Sequence, residues 1–229
     1  MSTQTWPEEK GSPEPPGRKR GFAKGPARDA QRTRANIIAV ATAEFAEFGL
    51  AGARMDRIAR RTKTSKRMLY YYFGDKSGLY QAVLLSYYEK LRCAEQALDL
   101  RRKPPLLALR MLVEFAFDFH REYADVARLV MVENINKGRH MPKRAAVASE
   151  DAAALESVND ILRRGEREGV MRGGLNALHL YATIIALCFF NVSNRYTFRA
   201  VFRHDMHTGK EAAARRRVVW ETVRRNVLV

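Results

Sequence analysis

The sequence predicts an all-α protein. From Gln31 onward, apolar residues recur at steps of three and four, which is the period of a helix with one buried face. No stretch shows the strict apolar–polar alternation that is typical of a half-buried strand. Glycine and proline stand between the periodic segments, where they end one helix and separate it from the next.

The first part of the chain predicts three shorter helices followed by a long one, at about 30–48, 55–61, 65–71 and 75–100. Gly49 is expected to end the first helix, and Pro104 and Pro105 are expected to end the fourth. Ser65 and Asp75 suit the N-cap positions of the third and fourth helices, because their side-chain oxygens accept hydrogen bonds from free backbone N–H groups.

The rest of the chain predicts a second helical unit, with helices at about 106–123, 124–136, 143–169, 175–196 and 210–226. The segment 175–196 is apolar nearly all round, so either its own domain or a partner chain must cover every side of it. Residues 1–28 are rich in proline, glycine and basic residues, and we expect them to form a disordered basic arm.

The charge of the chain indicates an anionic partner. Its 229 residues include 41 basic and 25 acidic ones, a net charge of +16. Fifteen basic and five acidic residues lie between Arg18 and Lys76. Such an excess favours nucleic acid or an acidic membrane surface, although a basic and inert solvated face is the alternative.

Several functional classes find no support in the sequence. There is no nucleophile–base pair, glycine-rich phosphate loop or pair of catalytic carboxylates, so we expect neither an enzyme nor a cofactor. Cys93 and Cys188 lie far apart, and His204 and His207 lack a third ligand nearby, so we expect no disulfide and no metal site. With no signal-peptide core and no apolar stretch near 20 residues, a cytoplasmic protein is expected.

The segments 55–61 and 65–71 have the proportions of a helix-turn-helix packed by the preceding helix. In that motif the second helix enters the major groove of DNA and meets base edges. The local excess of positive charge coincides with the motif, as phosphate neutralisation requires. The sequence therefore predicts double-stranded DNA as a partner.

The segment RTRANIIAVATAEFAEFGLAGARMDRIARRTKTSKRMLYYYFGDKSGLYQAVL resembles the DNA-binding domain of the TetR family of bacterial transcriptional regulators. The family's pattern is matched by Phe48-Gly49, Ile58-Ala59, Ser65-Lys66, the run from Leu69 to Phe73, and Lys76. The sequence departs from the pattern at Ala53-Arg54, where the family often has Ser or Thr, and at Lys63, where it usually has glycine.

The resemblance implies a three-helix helix-turn-helix DNA-binding domain at 29–76. A long helix would join it to an all-helical ligand-binding and dimerisation domain at 77–229. The residues that it implies for DNA contact are Arg32, Arg34, Arg54, Ser65, Lys66, Arg67, Met68, Tyr70, Tyr71 and Lys76. Leu69, Tyr72 and Phe73 are expected to fasten the recognition helix to its domain.

The resemblance also implies a homodimer on a palindromic operator and a repressor that an unknown small-molecule effector releases. The dimer would form through the helices around 175–196 and 210–226; a monomer with a central core helix is the alternative. The residues predicted to line an effector pocket are Phe115, Phe119, His120, Tyr123, Asn134, His179, Tyr181 and Phe189. Two other functions stay open: an architectural DNA-binding protein without an effector, and a membrane-surface protein.

Overall fold

The computed structural model describes residues 26–141 and 148–229, with side chains from 28–141 and 154–229. The described residues contain α-helices and one short 3₁₀ turn, and no β-strand, as the sequence predicted. The helices are α1 (Pro26–Gly52), α2 (Met55–Arg61), α3 (Lys66–Phe73), α4 (Lys76–Gln96), α5 (Pro105–Glu122), α6 (Ala124–Ile135), α7 (Ala148–Arg167), α8 (Ala177–Ser193), α9 (Arg195–Phe202) and α10 (Gly209–Val227).

Helix α1 is longer than predicted at both ends. It begins at Pro26, so residues 26–28, expected in the arm, are helical, and the rest of the arm lies outside the described residues. Proline suits a first helical position, where its missing N–H would have no partner. Gly49 interrupts the helix with φ 65°, as its predicted stop requires, but a further turn runs on to Gly52. Phe48, on the apolar stripe just before this break, is 39% exposed.

The turn between α2 and α3 keeps a left-handed residue although glycine is absent. Lys63 has φ 54°. The N–H of Lys63 donates to the Arg60 carbonyl (3.2 Å) and that of Thr64 donates to the Ala59 carbonyl (3.0 Å). These two bonds form a Schellman end to α2, whose left-handed position glycine usually fills. The lysine therefore adopts the family's turn instead of forming another one, at a cost of about 1 kcal/mol.

Two hydrophobic cores divide the molecule. The first packs α1, α2 and α3 against α4 and extends to Phe119, Val126 and Leu129 on α5 and α6. The second packs α5, α7, α8 and α10 around buried residues such as Leu109 and Ile184. The first core therefore contains residues from both sides of residue 76, the domain boundary that the sequence predicts. The recognition helix α3 shares one packed interior with α4 and with parts of α5 and α6.

The predicted fourth helix ends earlier than its periodicity indicates. Helix α4 stops at Gln96, Asp99 turns left-handed with φ 49°, and a 3₁₀ turn follows at Leu100–Arg102. Two guanidinium nitrogens of Arg164 donate to the carbonyls of Lys103 (2.6 Å) and Leu100 (3.2 Å), which holds this turn against α7. Pro105 then opens α5 instead of ending the preceding helix.

The predicted helix at 175–196 is two helices, since α8 ends at Ser193 and α9 follows at an angle of 65°. Asn176 caps α8, its side-chain oxygen accepting from the His179 N–H (3.0 Å). Among the described helices, no single one is long and apolar enough to cross a bilayer; α8 and α9 pass that test only as a bent pair.

Candidate DNA-binding surface and effector cavity

The outer face of α3 presents the predicted DNA-contacting residues to solvent. The exposed residues at this end of the motif are Ser65, Lys66, Arg67, Met68, Tyr70 and Tyr71. On the inner face Leu69 is fully buried and Phe73 is 8% exposed, whereas Tyr72 is only half-buried. Since successive helical residues point 100° apart, Tyr71, 78% exposed, faces outward while Leu69 and Phe73, two residues away on either side, anchor the helix.

The start of α3 is held by its cap. The Ser65 hydroxyl accepts from the backbone N–H of Met68 at 3.2 Å, the predicted N-cap interaction. Such a cap contributes about 1 kcal/mol to helix stability. It also fixes the first turn of α3, from which Lys66 and Arg67 project.

Asp56, in the first turn of α2, pairs with two of the predicted DNA-contacting cations. The Lys66 ammonium forms an ion pair with the Asp56 carboxylate, and Arg54 Nη2 lies 3.8 Å from it. More than half of both basic side chains is exposed, so each pair contributes at most about 1 kcal/mol. A DNA phosphate would compete with Asp56 for Lys66 at little cost.

Lys76 has a structural role that the sequence did not reveal. Its ammonium donates to the carbonyl oxygens of Ala51 (3.1 Å) and Ala53 (3.4 Å), which ties the end of α1 to the start of α4. A lysine has three donors, so one is left for a phosphate. The predicted α1 cations are both exposed, and the Arg34 guanidinium lies 5.4 Å from the centroid of the Phe73 ring.

Glu44 holds the start of α2, whose N-cap residue has no capping side chain. Arg54 occupies the N-cap position without a side-chain cap bond. Instead Glu44 Oε1, on buried α1 surface, accepts from the Arg54 N–H (2.9 Å) and from Arg57 Nε (2.7 Å). Burial raises the pKa of Glu44, but these hydrogen bonds and the charge of Arg57 outweigh it, so the pKa lies below its ordinary value. The signal in the sequence is a carboxylate beside Phe45, on the apolar stripe of α1.

A cavity of about 310 Å³ lies between α4, α5, α6 and α8, with one wall residue from α7. It is lined by Tyr87, Tyr88, Leu91, Arg92, Glu95, His120, Val130, Asn134, Ala154, Tyr181, Ile185 and Phe189. Its size is at the lower end of the range for small-molecule sites, and most of its walls are aromatic or aliphatic, as in such sites generally.

Half of the predicted pocket residues reach this cavity: His120, Asn134, Tyr181 and Phe189. The other four lie elsewhere, which corrects the prediction. Phe119 and Tyr123 stack on each other with ring centroids 4.5 Å apart, and Phe115 packs on Phe119, all at the first core. His179 is exposed in the first turn of α8. Helical period alone does not tell a core aromatic from one that faces a void.

The polar residues Arg92 and Glu95 line the cavity but were not predicted. Both are on α4 and nearly buried, at 8% and 7% exposure. Glu95 is four residues after Leu91 and eight after Tyr87, so it continues the apolar stripe of the helix. A carboxylate in that stripe is the signal that would have identified it. Burial raises the pKa of Glu95.

His120 is a neutral histidine in the cavity wall. It is 3% exposed, and its Nδ1 lies 2.6 Å from the Tyr87 hydroxyl. Burial lowers the pKa of His120 to about 4 and raises the pKa of the Tyr87 phenol, so both groups are uncharged near neutral pH. Their hydrogen bond joins α4 to α5 at the cavity.

Two family models match the chain. Residues 37–83 match the model described as bacterial regulatory proteins, tetR family, and residues 105–223 match tetracyclin repressor-like, C-terminal domain. The first range contains the helix-turn-helix, and the second contains most of the cavity wall and α8.

Characterised relatives resemble most of the chain. The HTH-type transcriptional repressor NicS of Pseudomonas putida is 33% identical over 188 residues, which cover 82% of this chain and 88% of NicS. The HTH-type transcriptional repressor SCO4008 of Streptomyces coelicolor is 30% identical over 164 residues, 70% of this chain and 79% of that protein.

A solved structure also has this fold. It is described as the putative transcriptional regulator SCO4942 from Streptomyces coelicolor. The structures superpose with a TM-score of 0.63 at 25% sequence identity, covering 85% of this chain and 98% of the other. The similarity therefore extends through both cores of the molecule.

Proposed function

Because the chain belongs to the TetR family of bacterial transcriptional regulators, we propose that it is a repressor that leaves its operator when a small molecule fills the cavity. Family members are regulators and not enzymes, and the two relatives compared above are named repressors. The protein would act in the cytoplasm, where a bacterial regulator meets DNA.

The outward face of α3 is the observation that carries the DNA-binding part of this proposal. The exposed residues on this face include Arg67, Tyr70 and Tyr71. On the opposite face, Leu69 and Phe73 are buried and pack the helix against its domain. Arginine suits phosphates and guanine edges, and tyrosine suits phosphates and thymine methyl groups. A rigid helix that presents such groups is what major-groove recognition requires.

A dimer would place two copies of α3 on the two halves of a palindrome. The surfaces proposed for the interface are the outer faces of α8 and α10, where Leu178 is 57% and Val218 52% exposed. These apolar side chains lie on neighbouring helices that pack together in the second core. Burying them against a second copy would remove them from water.

The route from cavity to DNA would run through α4 and α6. Tyr87 and Leu91 line the cavity and belong to the same core as Leu69 and Phe73 of the recognition helix. A ligand that fits only one arrangement of this core shifts the population between DNA-competent and DNA-incompetent dimers. The size of that shift is limited by the ligand's difference in affinity for the two arrangements.

Selection of bound sequences from random double-stranded DNA tests the DNA-binding part. We expect a palindrome whose half-sites lie about one helical turn apart. Tyr71→Ala should lower affinity for it by roughly tenfold or more and relax preference at one position of each half-site. Lys66→Ala removes a cation that can reach a DNA phosphate. It should weaken binding to all sequences by a similar factor and lower the salt dependence of binding.

The outcome also separates this function from that of an architectural DNA-binding protein. A repressor keeps its palindrome as salt is raised, whereas an architectural protein loses all sequences together. Selection without any palindrome would contradict the proposal. As a control, Glu47→Ala changes an exposed charge on α1 away from α3 and should leave the selected sequence unchanged.

A further inference from the structure

Among the residues that the structure describes, Glu95 Oε1 and His120 Nε2 are buried polar atoms of the cavity wall with no hydrogen-bond partner. Their residues are 7% and 3% exposed, and both line the same void. Buried polar atoms are almost always satisfied, because leaving one without a partner is unfavourable. Two such atoms beside one apolar cavity indicate that a ligand supplies their hydrogen bonds.

The hydrogen bond between Tyr87 and His120 determines what the histidine offers. Within the described residues, His120 Nδ1 is the only hydrogen-bond partner of the buried Tyr87 hydroxyl. If the hydroxyl donates to Nδ1, only the Nε2–H is left without a partner. In the other tautomer, the hydroxyl hydrogen and the Nε2 lone pair would both be left. We therefore assign the proton to Nε2, which presents a donor to the ligand.

Glu95 offers an acceptor at Oε1, because a carboxyl oxygen keeps acceptor capacity in both its ionised and its protonated form. A cationic ligand would approach the permanent charge of Arg92. A ligand carboxylate has no donor for Glu95 Oε1 and would leave that atom unpaired.

The remaining wall limits the shape of the ligand. Four aromatic rings line the cavity, from Tyr87, Tyr88, Tyr181 and Phe189. A flat ring stacks well among such side chains, and about 310 Å³ leaves space for one or two rings.

From these observations we infer that the cavity binds an uncharged aromatic compound of one or two rings with an amide-like polar edge. A carbonyl oxygen on that edge accepts from His120 Nε2–H, and an adjacent N–H or O–H donates to Glu95. This inference rests on the proposed function only in assuming that the ligand is the effector. The predicted chemistry of binding follows from the residues that line the cavity.

Titration calorimetry on the full-length protein without DNA tests the inference with four single-ring probes. They are benzamide, benzoate, benzylamine and ethylbenzene, which share a ring and differ in charge and hydrogen bonding. Benzamide should bind at least about tenfold more tightly than each of the others, the effect expected for satisfying buried partners. Tighter binding of benzoate or benzylamine would overturn the inference, as would no binding of benzamide at about 10 mM.

Variants of the two polar residues test whether they make the contacts. Glu95→Gln keeps a donor and an acceptor, so benzamide affinity should stay within about threefold, whereas Glu95→Leu should lose about tenfold. His120→Phe should lose about tenfold as well. Tyr123→Phe, outside the cavity, is the matched control and should bind like the wild type. Equal affinity in Glu95→Leu, His120→Phe and the control would overturn the assignment, and melting curves verify that each variant is folded.

Failure of this inference differs from failure of the proposed function. If benzamide does not bind but a palindromic operator is selected, the repressor stands and the ligand chemistry is wrong. If benzamide binds as expected but no palindrome is selected, the cavity chemistry stands and the operator-binding function is wrong.

Discussion

Glu44 is the residue on which the start of the helix-turn-helix depends. It is 1% exposed, and it joins α1 to the first turn of α2 through the Arg54 N–H and the Arg57 guanidinium. The guanidinium of Arg57 also lies 3.9 Å from the centroid of the Phe48 ring. A buried carboxylate therefore fixes the start of α2 by binding the N–H of the N-cap residue and the side chain of Arg57, whereas a Ser or Thr cap would bind the N–H groups of the first helical turn.

Glu44→Ala should lower the free energy of unfolding by about 1–3 kcal/mol, because it leaves a backbone N–H and a partly buried guanidinium without their acceptor. Chemical denaturation monitored by circular dichroism measures this. Glu47→Ala, an exposed carboxylate one turn further along α1, should change the stability by less than about 0.5 kcal/mol. Equal effects of the two substitutions would contradict the capping role.

The same carboxylate should give the protein an acid-sensitive component of stability. Since the folded-state pKa of Glu44 lies below its unfolded value, its contribution is present above the unfolded pKa and is lost as pH falls through the folded pKa. The difference in unfolding free energy between the wild type and Glu44→Gln should therefore shrink as the pH falls through that range. A difference that stays constant with pH would contradict this.

At the scale of elements, α3 and α4 are joined by a turn of only two residues, Gly74 and Asp75. Gly74 has φ 76°, and the Asp75 side chain accepts from the Gly78 N–H at 2.7 Å. A methyl group at Gly78 would overlap the carbonyl oxygen of Phe73, which is backbone and cannot rotate away. The first turn of α4 can approach the last turn of α3 only because residue 78 lacks a side chain.

Gly78→Ala should lower the unfolding free energy by about 1–3 kcal/mol and weaken operator binding, because the end of α3 must move. Gly52→Ala is the matched control, since its added methyl would meet only the Phe48 Cβ at an ordinary 3.4 Å. That control should be neutral or slightly stabilising, because alanine restricts the unfolded chain. Thermal unfolding measures the change in stability, and fluorescence anisotropy on the selected operator measures the change in affinity. A Gly78→Ala protein with wild-type stability would show that α3 and α4 do not need a glycine at this position.

The ends of an element can be predicted from the sequence when the residues that set them are close by in the chain. The caps at Ser65 and Asp75 and the bounds of α2 follow from neighbouring residues, and the structure confirms them. The 3₁₀ turn that follows α4 is held by Arg164, more than 60 residues away, so local periodicity could not reveal this contact. Glu44, Glu95 and the contacts of Lys76 with the end of α1 were likewise missed, because their partners or the cavity form only in the folded chain.

At the scale of the whole molecule, the division into cores differs from the domain boundary at residue 76 that the sequence predicts. The first core joins the recognition helix to one wall of the cavity, while the second core supports α8 and α10. A change at the cavity therefore has a continuous packed route to α3, whereas the proposed dimer surface is supported by the other core. In the proposed dimer, the two recognition helices would therefore follow a change in the first core, while the interface helices are supported by the second.

Val218→Glu tests whether the outer faces of α8 and α10 hold the dimer together. Val218 is 52% exposed, so a glutamate is tolerated in the isolated chain but would bury a charge in a two-fold interface. We expect a monomer by light scattering, with unchanged circular dichroism. Operator affinity should fall by about 10²–10⁴-fold, because the two half-sites are then bound independently.

Ile135→Glu supplies the control for this substitution. Ile135 is 78% exposed at the end of α6, which is not one of the two helices proposed for the interface, so the same change of charge should leave both dimer and operator affinity intact. Dissociation of the control, or a Val218→Glu protein that stays dimeric, would place the interface elsewhere. If Val218→Glu is monomeric yet keeps benzamide binding, the cavity is complete within one chain, as the lining from α4 to α8 requires.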